Sequence, residues 1–201
     1  MVVKRSTYVT HECTPLSYAM TPLQKLKHDQ EKLVGTRVYL RALTVEDATV
    51  DYSRWLSDPL VNHFLATKSA TVLELKQYIT TKNKRDDCVL LGIFLNESAR
   101  MIGTVKLEYI DTAARTADIA IMLGDRTQAG KGLGGEAMQI LIEFAFSVLN
   151  LSVMTLGVVA QNTPAVRAYQ KLGFAETGIS LGVVKYGGQT YDQMTMRLQK
   201  A

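Results

Sequence analysis

The stretch "RTQAGKGLGGEAM" (Arg126–Met138) places four of the chain's 14 glycines within six residues and then runs into an apolar helical pattern. Glycines at a helix start leave backbone N–H groups bare, and the helix dipole adds positive potential. The chemistry suited to such a loop is phosphate binding. Lys131 adds a cation to it. Gly130, Gly132 and Gly135 also spell a GxGxxG, but the dinucleotide fingerprint needs a carboxylate about 20 residues on, at the end of the next strand. That strand ends "VVAQN" and has none. A P-loop fails on spacing, because the interval from Gly124 to Gly130–Lys131 is one residue too long. Gly132 also stands where the magnesium-binding hydroxyl belongs. "GISLG" (Gly178–Gly182) matches a nucleophile elbow, which requires a following helix and then Asp and His. A strand pattern follows instead, and His11, His28 and His63 all precede Ser180. The same histidines are too scattered for a metal site, so no metal is expected.

The elements that must position this loop are legible on both sides of it. "TADIAIML" alternates as a strand ahead of it, and "GEAMQILIEFAFSVL" follows as a long apolar helix. Upstream, "RVYLRAL" alternates as a half-buried strand, and "TVEDATVDYSRWLSD" reads as a helix capped by Thr44 and Asp47, with Pro59 breaking the chain after it. "TVLELKQYITTK" opens with the Thr71–Glu74 capping box of a second helix. "CVLLGIFL", "MIGTVKLEYI" and "TADIAIML" are strands joined by short turns, which argues for antiparallel neighbours. Downstream come a buried strand "VMTLGVV", a helix in "TPAVRAYQKLGF" with Thr163 as cap, Pro164 at its first position and Gly173 stopping it, and two closing strands, "AETGISLGV" and "TYDQMTMRL". The order is β-α-α-β-β-β-α-β-α-β-β, a mixed α/β (α+β) domain too irregular for a doubly wound sheet.

The chain has 201 residues, 47% of them hydrophobic and 21% charged, enough for one globular domain with a substantial core. No apolar run reaches the roughly 18 residues of a membrane helix. The first residues lack the apolar core of a secretory signal, so a cytoplasmic protein is expected. Cys13 and Cys88 form no CxxC and are too few for a disulfide framework. The net charge is +4, and the first 35 residues hold five Lys/Arg against three Asp/Glu, so the remainder is nearly balanced. With no basic stripe, neither nucleic acid nor a membrane is an expected partner. Residues 1–35 read as an N-terminal extension, a disordered arm with a short amphipathic helix in "TPLQKLKHDQEKLVG", ahead of a domain at 36–201.

In this order and spacing, "RALTVEDATVDYSRWLSDPLVNHFL", "RTADIAIMLGD", "GKGLGGEA" and "NTPAVRAYQKLGF" resemble the GNAT acyl-CoA N-acyltransferases, and among them the RimJ/RimL-like branch. The resemblance covers roughly Arg37 to Leu198. It implies a GNAT fold: a largely antiparallel sheet of six to seven strands flanked by about four helices. The cofactor cleft would lie where the strands before and after the glycine-loop helix splay apart. It implies acetyl-CoA as donor, with its pyrophosphate on the N–H groups of Gln128, Ala129, Gly130, Lys131, Gly132, Leu133 and Gly134. Its pantetheine arm would pair along Ile121, Met122 and Leu123, and Asn162 would contact CoA. The family usually carries Gln, Arg or Trp where this chain has Ala129, and Gln128 lies one position early.

The resemblance further implies amide formation, with Tyr169 as general acid for the departing thiolate. Asp118, with Glu108 as runner-up, would be the base. No cysteine lies in the motif region, so direct attack by a primary amine in a ternary complex is expected over an acyl-enzyme. The acceptor pocket is expected between the first helices and the last hairpin, with Trp55, Asp58, Tyr186, Tyr191 and Asp192 as candidates. The acceptor is a protein N-terminus or a small amine; an amino-sugar or sugar nucleotide is the alternative, and a non-catalytic acyl-CoA-binding module is the rival of another class. A monomer or homodimer fits equally.

Overall fold

The computed structural model describes residues 20–186 and 188–200. In chain order the elements are α1 (Pro22–His28), β1 (Leu33–Val34), β2 (Val38–Ala42), α2 (Val50–Ser57), α3 (Pro59–Asn62), α4 (Val72–Lys84), β3 (Val89–Leu95), β4 (Met101–Asp111), β5 (Thr116–Leu123), α5 (Leu133–Ser147), β6 (Val153–Val159), α6 (Thr163–Lys171), β7 (Ala175–Tyr186) and β8 (Gln189–Gln199). The strands form one sheet in the order β1-β2-β3-β4-β5-β6-β8-β7. Short turns join β3, β4 and β5 as an antiparallel meander. β5 and β6 are parallel, which requires a crossover, and α5 supplies it.

Successive residues of a strand face opposite sides, so each face collects its own core. Val89, Leu91 and Ile93 join α1, α5 and α6 on one side, where α5 buries Leu133, Ala137, Met138, Leu141, Ile142, Phe144 and Ala145. Leu90 and Phe94 join α2 and α4 on the other, with Tyr52, Leu56, Leu75 and Ile79. The parallel pairing of β5 with β6 covers only Thr116 to Asp118 against Val153 to Thr155. Beyond it β6 continues on β8 from Leu156 to Val159, while β5 continues on β4 to Leu123. The sheet opens between them.

The fold agrees with the expected class and departs in detail. The sheet has eight strands rather than six or seven, because two-residue β1 pairs with β2 through Leu33↔Leu40 and Val34↔Tyr39. There are six helices among the described residues. Pro59 does not simply end the second helix. It opens α3, whose cap is Asp58 accepting from the Leu60 N–H, since a proline lacks a donor that the first turn does not need. Thr44 and Asp47 close a one-turn 3₁₀ segment, and α2 has its own cap in Thr49. Asp47 is also gripped by Arg41 through two 2.7 Å bonds, which ends that turn early. Asn162, not Thr163, caps α6. The helix expected within residues 21–35 is α1, with a Thr21–Gln24 capping box, and its Leu26 is fully buried in the core. The arm expected before it lies outside the described residues.

Candidate active site

The glycine loop begins where β5 ends. Trp55 lies so close to Gly124 that a Cβ there would come within 2.1 Å of the indole, so only glycine lets the strand leave the sheet beneath it. Asp125 then caps the turn at Arg126–Gln128, accepting from the Thr127 N–H at 2.9 Å and hydroxyl at 2.7 Å, and Arg100 pairs with it at 2.7 Å. Gly130 and Gly132 have φ of +74° and +78°, a region that L side chains enter at a cost of roughly 1–2 kcal/mol. Gly132 is the N-cap of α5 and has no side chain with which to cap it. A Cβ at Gly130 or Gly135 would meet nothing within 4 Å, so packing inside the protein does not demand glycine there. What the glycines keep clear is the space outside the loop, onto which the first N–H groups of α5 open. That geometry fits a phosphate group.

A cation stands at the same place from an element far away in sequence. Arg37, at the entry to β2, donates from Nη1 to the Lys131 carbonyl at 2.9 Å and from Nε to Glu136 at 2.7 Å. Its Nη2 lies 3.6 Å from the Cβ position of Gly132. Burial would raise the Glu136 pKa, but hydrogen bonds from the Arg37 backbone and side chain outweigh it and hold the carboxyl low. Arg37 escaped the sequence reading because nothing in a lone arginine on a strand points to a loop more than 90 residues away.

Where β5 and β6 part, a cleft of about 720 Å³ opens, lined by Ile119–Leu123 on one wall and Leu156–Val159 on the other. Asn162, Ala165 and Tyr169 of α6 border it, and so do His63, Phe64 and Leu65 after α3. Asn162 uses its side-chain oxygen to cap α6. Tyr169 packs edge-on to Phe174 at 6.1 Å, and burial alone raises its pKa, so the phenol stays protonated. A second cavity of about 540 Å³ lies between α2, α4 and the β4–β5 face, and it shares Leu65 and Ala120–Met122 with the first.

The two carboxylates stand elsewhere. Asp118 sits at the last β5–β6 pair, where the Thr155 hydroxyl donates to it. Glu108 is enclosed by Lys82, Lys106 and, at 3.7 Å, Arg85. Burial pushes its pKa up, but the Lys106 and Lys82 ammonium groups outweigh this and leave it below the ordinary value. Neither lines either of these two cavities. The acceptor candidates are likewise dispersed. Trp55 backs the loop at Gly124. Asp58 caps α3 and pairs with Arg126 at 3.3 Å. Tyr186 ends β7 opposite Gln189. Asp192 accepts from the Gly182 N–H at 2.9 Å. Tyr191 stands edge-on to Phe64 and His63, with centroids 6.1 and 6.3 Å away.

The sequence sets His63 aside both as a triad partner and as a metal ligand, yet it lines the cleft together with Tyr169. Its turn is stapled. Buried Asn62 donates to the Leu56 and Lys68 carbonyls at 2.6 and 3.0 Å, and the Lys68 ammonium returns to the carbonyls of Asn62 and His63 at 2.7 and 3.0 Å.

The glycine cradle and the splayed strands are matched by what the chain is similar to. A family model described as the acetyltransferase (GNAT) domain matches residues 37–175. The chain belongs to the GNAT acetyltransferases. An uncharacterized N-acetyltransferase, p20, of Bacillus licheniformis is 30% identical over 174 residues, 85% of this chain and 97% of that one. The alpha/beta-tubulin-N-acetyltransferase 9 of Homo sapiens is 24% identical, over 83% of this chain and 82% of its own. Among solved structures, a spermidine N-acetyltransferase from Vibrio cholerae in complex with CoA and spermine has a TM-score of 0.75 at 21% identity. It covers 82% of this chain and 96% of that chain. This chain is thus a GNAT enzyme with a GNAT sheet. None of the described His, Cys, Asp and Glu residues gather in a metal-binding group, and no helix among the described residues is long and apolar enough to cross a membrane.

Proposed function

We propose that this GNAT enzyme, of the RimJ/RimL-like branch, transfers the acetyl group of acetyl-CoA to a primary amine by direct attack in a ternary complex. The observation that carries the reading is the continuity of the glycine cradle with the cleft between β5 and β6. Phosphates would rest on the N–H groups from Gln128 to Gly134. The pantetheine arm would pair with the β5 edge at Ile121–Leu123, as an added strand does, and Asn162 would contact it across the cleft. Bound acetyl-CoA supplies an acetyl thioester, whose C–S bond breaks as the C–N bond of the amide forms. Tyr169 donates its phenolic proton to the leaving sulfur and is restored by the second proton that the nitrogen sheds as the amide forms. His63 takes the proton from the acceptor's ammonium, a role we assign to it rather than to Asp118 or Glu108 because the imidazole faces the cleft. The relatives' named acceptors, tubulin and spermidine, agree in being amines.

The test is calorimetric titration with acetyl-CoA followed by thiol release against amines. Binding with amine-dependent release supports the reading, while absence of binding sinks it. A protein that binds and never turns over any amine would instead be an acyl-CoA-binding module.

A further inference from the structure

We propose that the acceptor carries a single primary amine on an apolar or aromatic body, and that this body seats in the cavity between α2, α4 and the β4–β5 face. The inference rests on the acetyl-transfer reading above. At about 540 Å³ the cavity has the size of a small-molecule site, which runs from roughly 300 to 1,000 Å³. It joins the donor cleft at Leu65 and Ala120–Met122, so a molecule seated there reaches the β5 edge.

Its walls select by what they lack. Tyr52, Leu56, Leu75, Tyr78 and Leu90 make them mainly apolar and aromatic, with hydroxyls at Thr67, Ser69 and Thr104. The charged lining residues are Glu74 and Lys106. Glu74 is committed to its capping box, accepting from the Thr71 N–H at 2.7 Å and hydroxyl at 2.8 Å. Lys106 is paired with Glu108. The donor cleft adds no carboxylate among the described residues. A polyamine would therefore bring two or more permanent charges to a space whose one carboxylate is already engaged. Ammonium groups left unpaired in apolar surroundings are expensive. A single amine gives up its charge on reaction, and its apolar body gains from burial. An acidic acceptor fares no better than a polyamine, since Lys106 is already taken. A sugar would find hydroxyl partners only at Thr67, Ser69, Thr104 and the two tyrosines, with leucines, alanines, Ile121 and Met122 over the rest of the wall.

Two sources carry this chemistry: a free arylalkylamine, or a polypeptide whose first residue has an apolar side chain. The experiment uses the full chain with acetyl-CoA and reads thiol release with 2-phenylethylamine, a short peptide beginning with Leu, spermidine and glucosamine. The apolar acceptors should exceed spermidine and glucosamine in kcat/KM by about a hundredfold. Turnover of the peptide alone assigns the source as a polypeptide N-terminus, and of the arylalkylamine alone as a free amine. Ala66 lies exposed at the cavity's lip, where substitution leaves the core untouched. Ala66→Asp should raise KM for the apolar acceptor about tenfold, whereas Ala66→Leu should leave it level or lower it, with acetyl-CoA affinity unchanged in both. Preference for spermidine or glucosamine overturns the class and leaves the transfer reading standing. So does an unmoved KM in Ala66→Asp, whereas acetyl-CoA binding without release from any of the four amines overturns the class and counts against transfer itself. Failure to bind acetyl-CoA overturns the transfer reading and the class with it.

Discussion

Tyr169 and His63 border the same cleft and are suited to opposite jobs. The phenol is buried enough that its pKa rises, so it enters the reaction protonated and returns to that state readily. Tyr169→Phe should lower kcat by about 10²–10⁴, the usual worth of a general acid, with acetyl-CoA affinity held in titration. A loss shared by kcat and affinity would make Tyr169 a packing residue. His63→Gln should lower kcat/KM by about 10²–10⁴ with acetyl-CoA affinity held, because the amide cannot take a proton from the acceptor. Unchanged turnover in the variant returns the role to Asp118 or to solvent. These two residues differ in how far the sequence exposes them. Tyr169 sits in "NTPAVRAYQKLGF", whose order and spacing carry the resemblance. His63 lies on a short turn, and only the Asn62–Lys68 staple, made of contacts to backbone carbonyls, turns it toward the cleft. No periodicity announces a staple.

The loop and α5 form one element in which local and distant causes meet. The local part was readable as four glycines with an apolar helix directly after them, and the fold adds positive φ at Gly130 and Gly132 and open space beside Gly130 and Gly135. Gly132→Val should add roughly 1–2 kcal/mol of backbone strain and weaken acetyl-CoA by about a hundredfold, as expected when one or two charge-assisted hydrogen bonds are lost. A circular-dichroism melt separates the two effects, and unchanged affinity in a folded variant would mean that the glycines serve the turn alone. The distant part was not readable, because Arg37 reaches the loop only once β2 is laid beside α5. The same holds for β4. In the sequence Glu108 was an acidic residue on a strand, and in the fold it is the shared counter-ion of Lys82, Lys106 and Arg85. Glu108→Gln should destabilise by about 3 kcal/mol, since three cations then face a neutral amide. Its folded pKa is depressed, so the native contribution is present above the unfolded value and lost as pH falls through the folded one. Wild type and variant should therefore differ at neutral pH and converge in acid.

At the scale of the molecule, the cleft exists because one parallel pair stops after three residues and both strands go on with other partners. Strand identities were legible from alternation, and β5 and β6 begin and end where the pattern placed them. What alternation cannot supply is which strands lie side by side, and so the opening between β5 and β6 came from the resemblance. The edge of the folded unit was hidden for a related reason. The polar residues of "TPLQKLKHDQEKLVG" dilute its few leucines, yet Leu26 has no exposed surface and belongs to the same cluster as Leu40, Leu91 and Leu141. If α1 is as integral as this burial indicates, Leu26→Ala should remove about 2–5 kcal/mol, the range for a leucine taken from a packed core. For a chain of this size that lowers Tm by about 2–4 °C for each kcal/mol. A second leucine on the same sequence segment, Leu33→Ala, is the comparison: it is only partly buried in β1 and should move Tm less. The unfolding transition decides between two architectures. A single cooperative melt shifted downward by Leu26→Ala means that the helix folds with the sheet, and that truncation before β2 would leave α5 and β2 without part of their cover. An unshifted main transition, with a separate early loss of helix, would make α1 an accessory whose buried leucine contributes nothing to the rest.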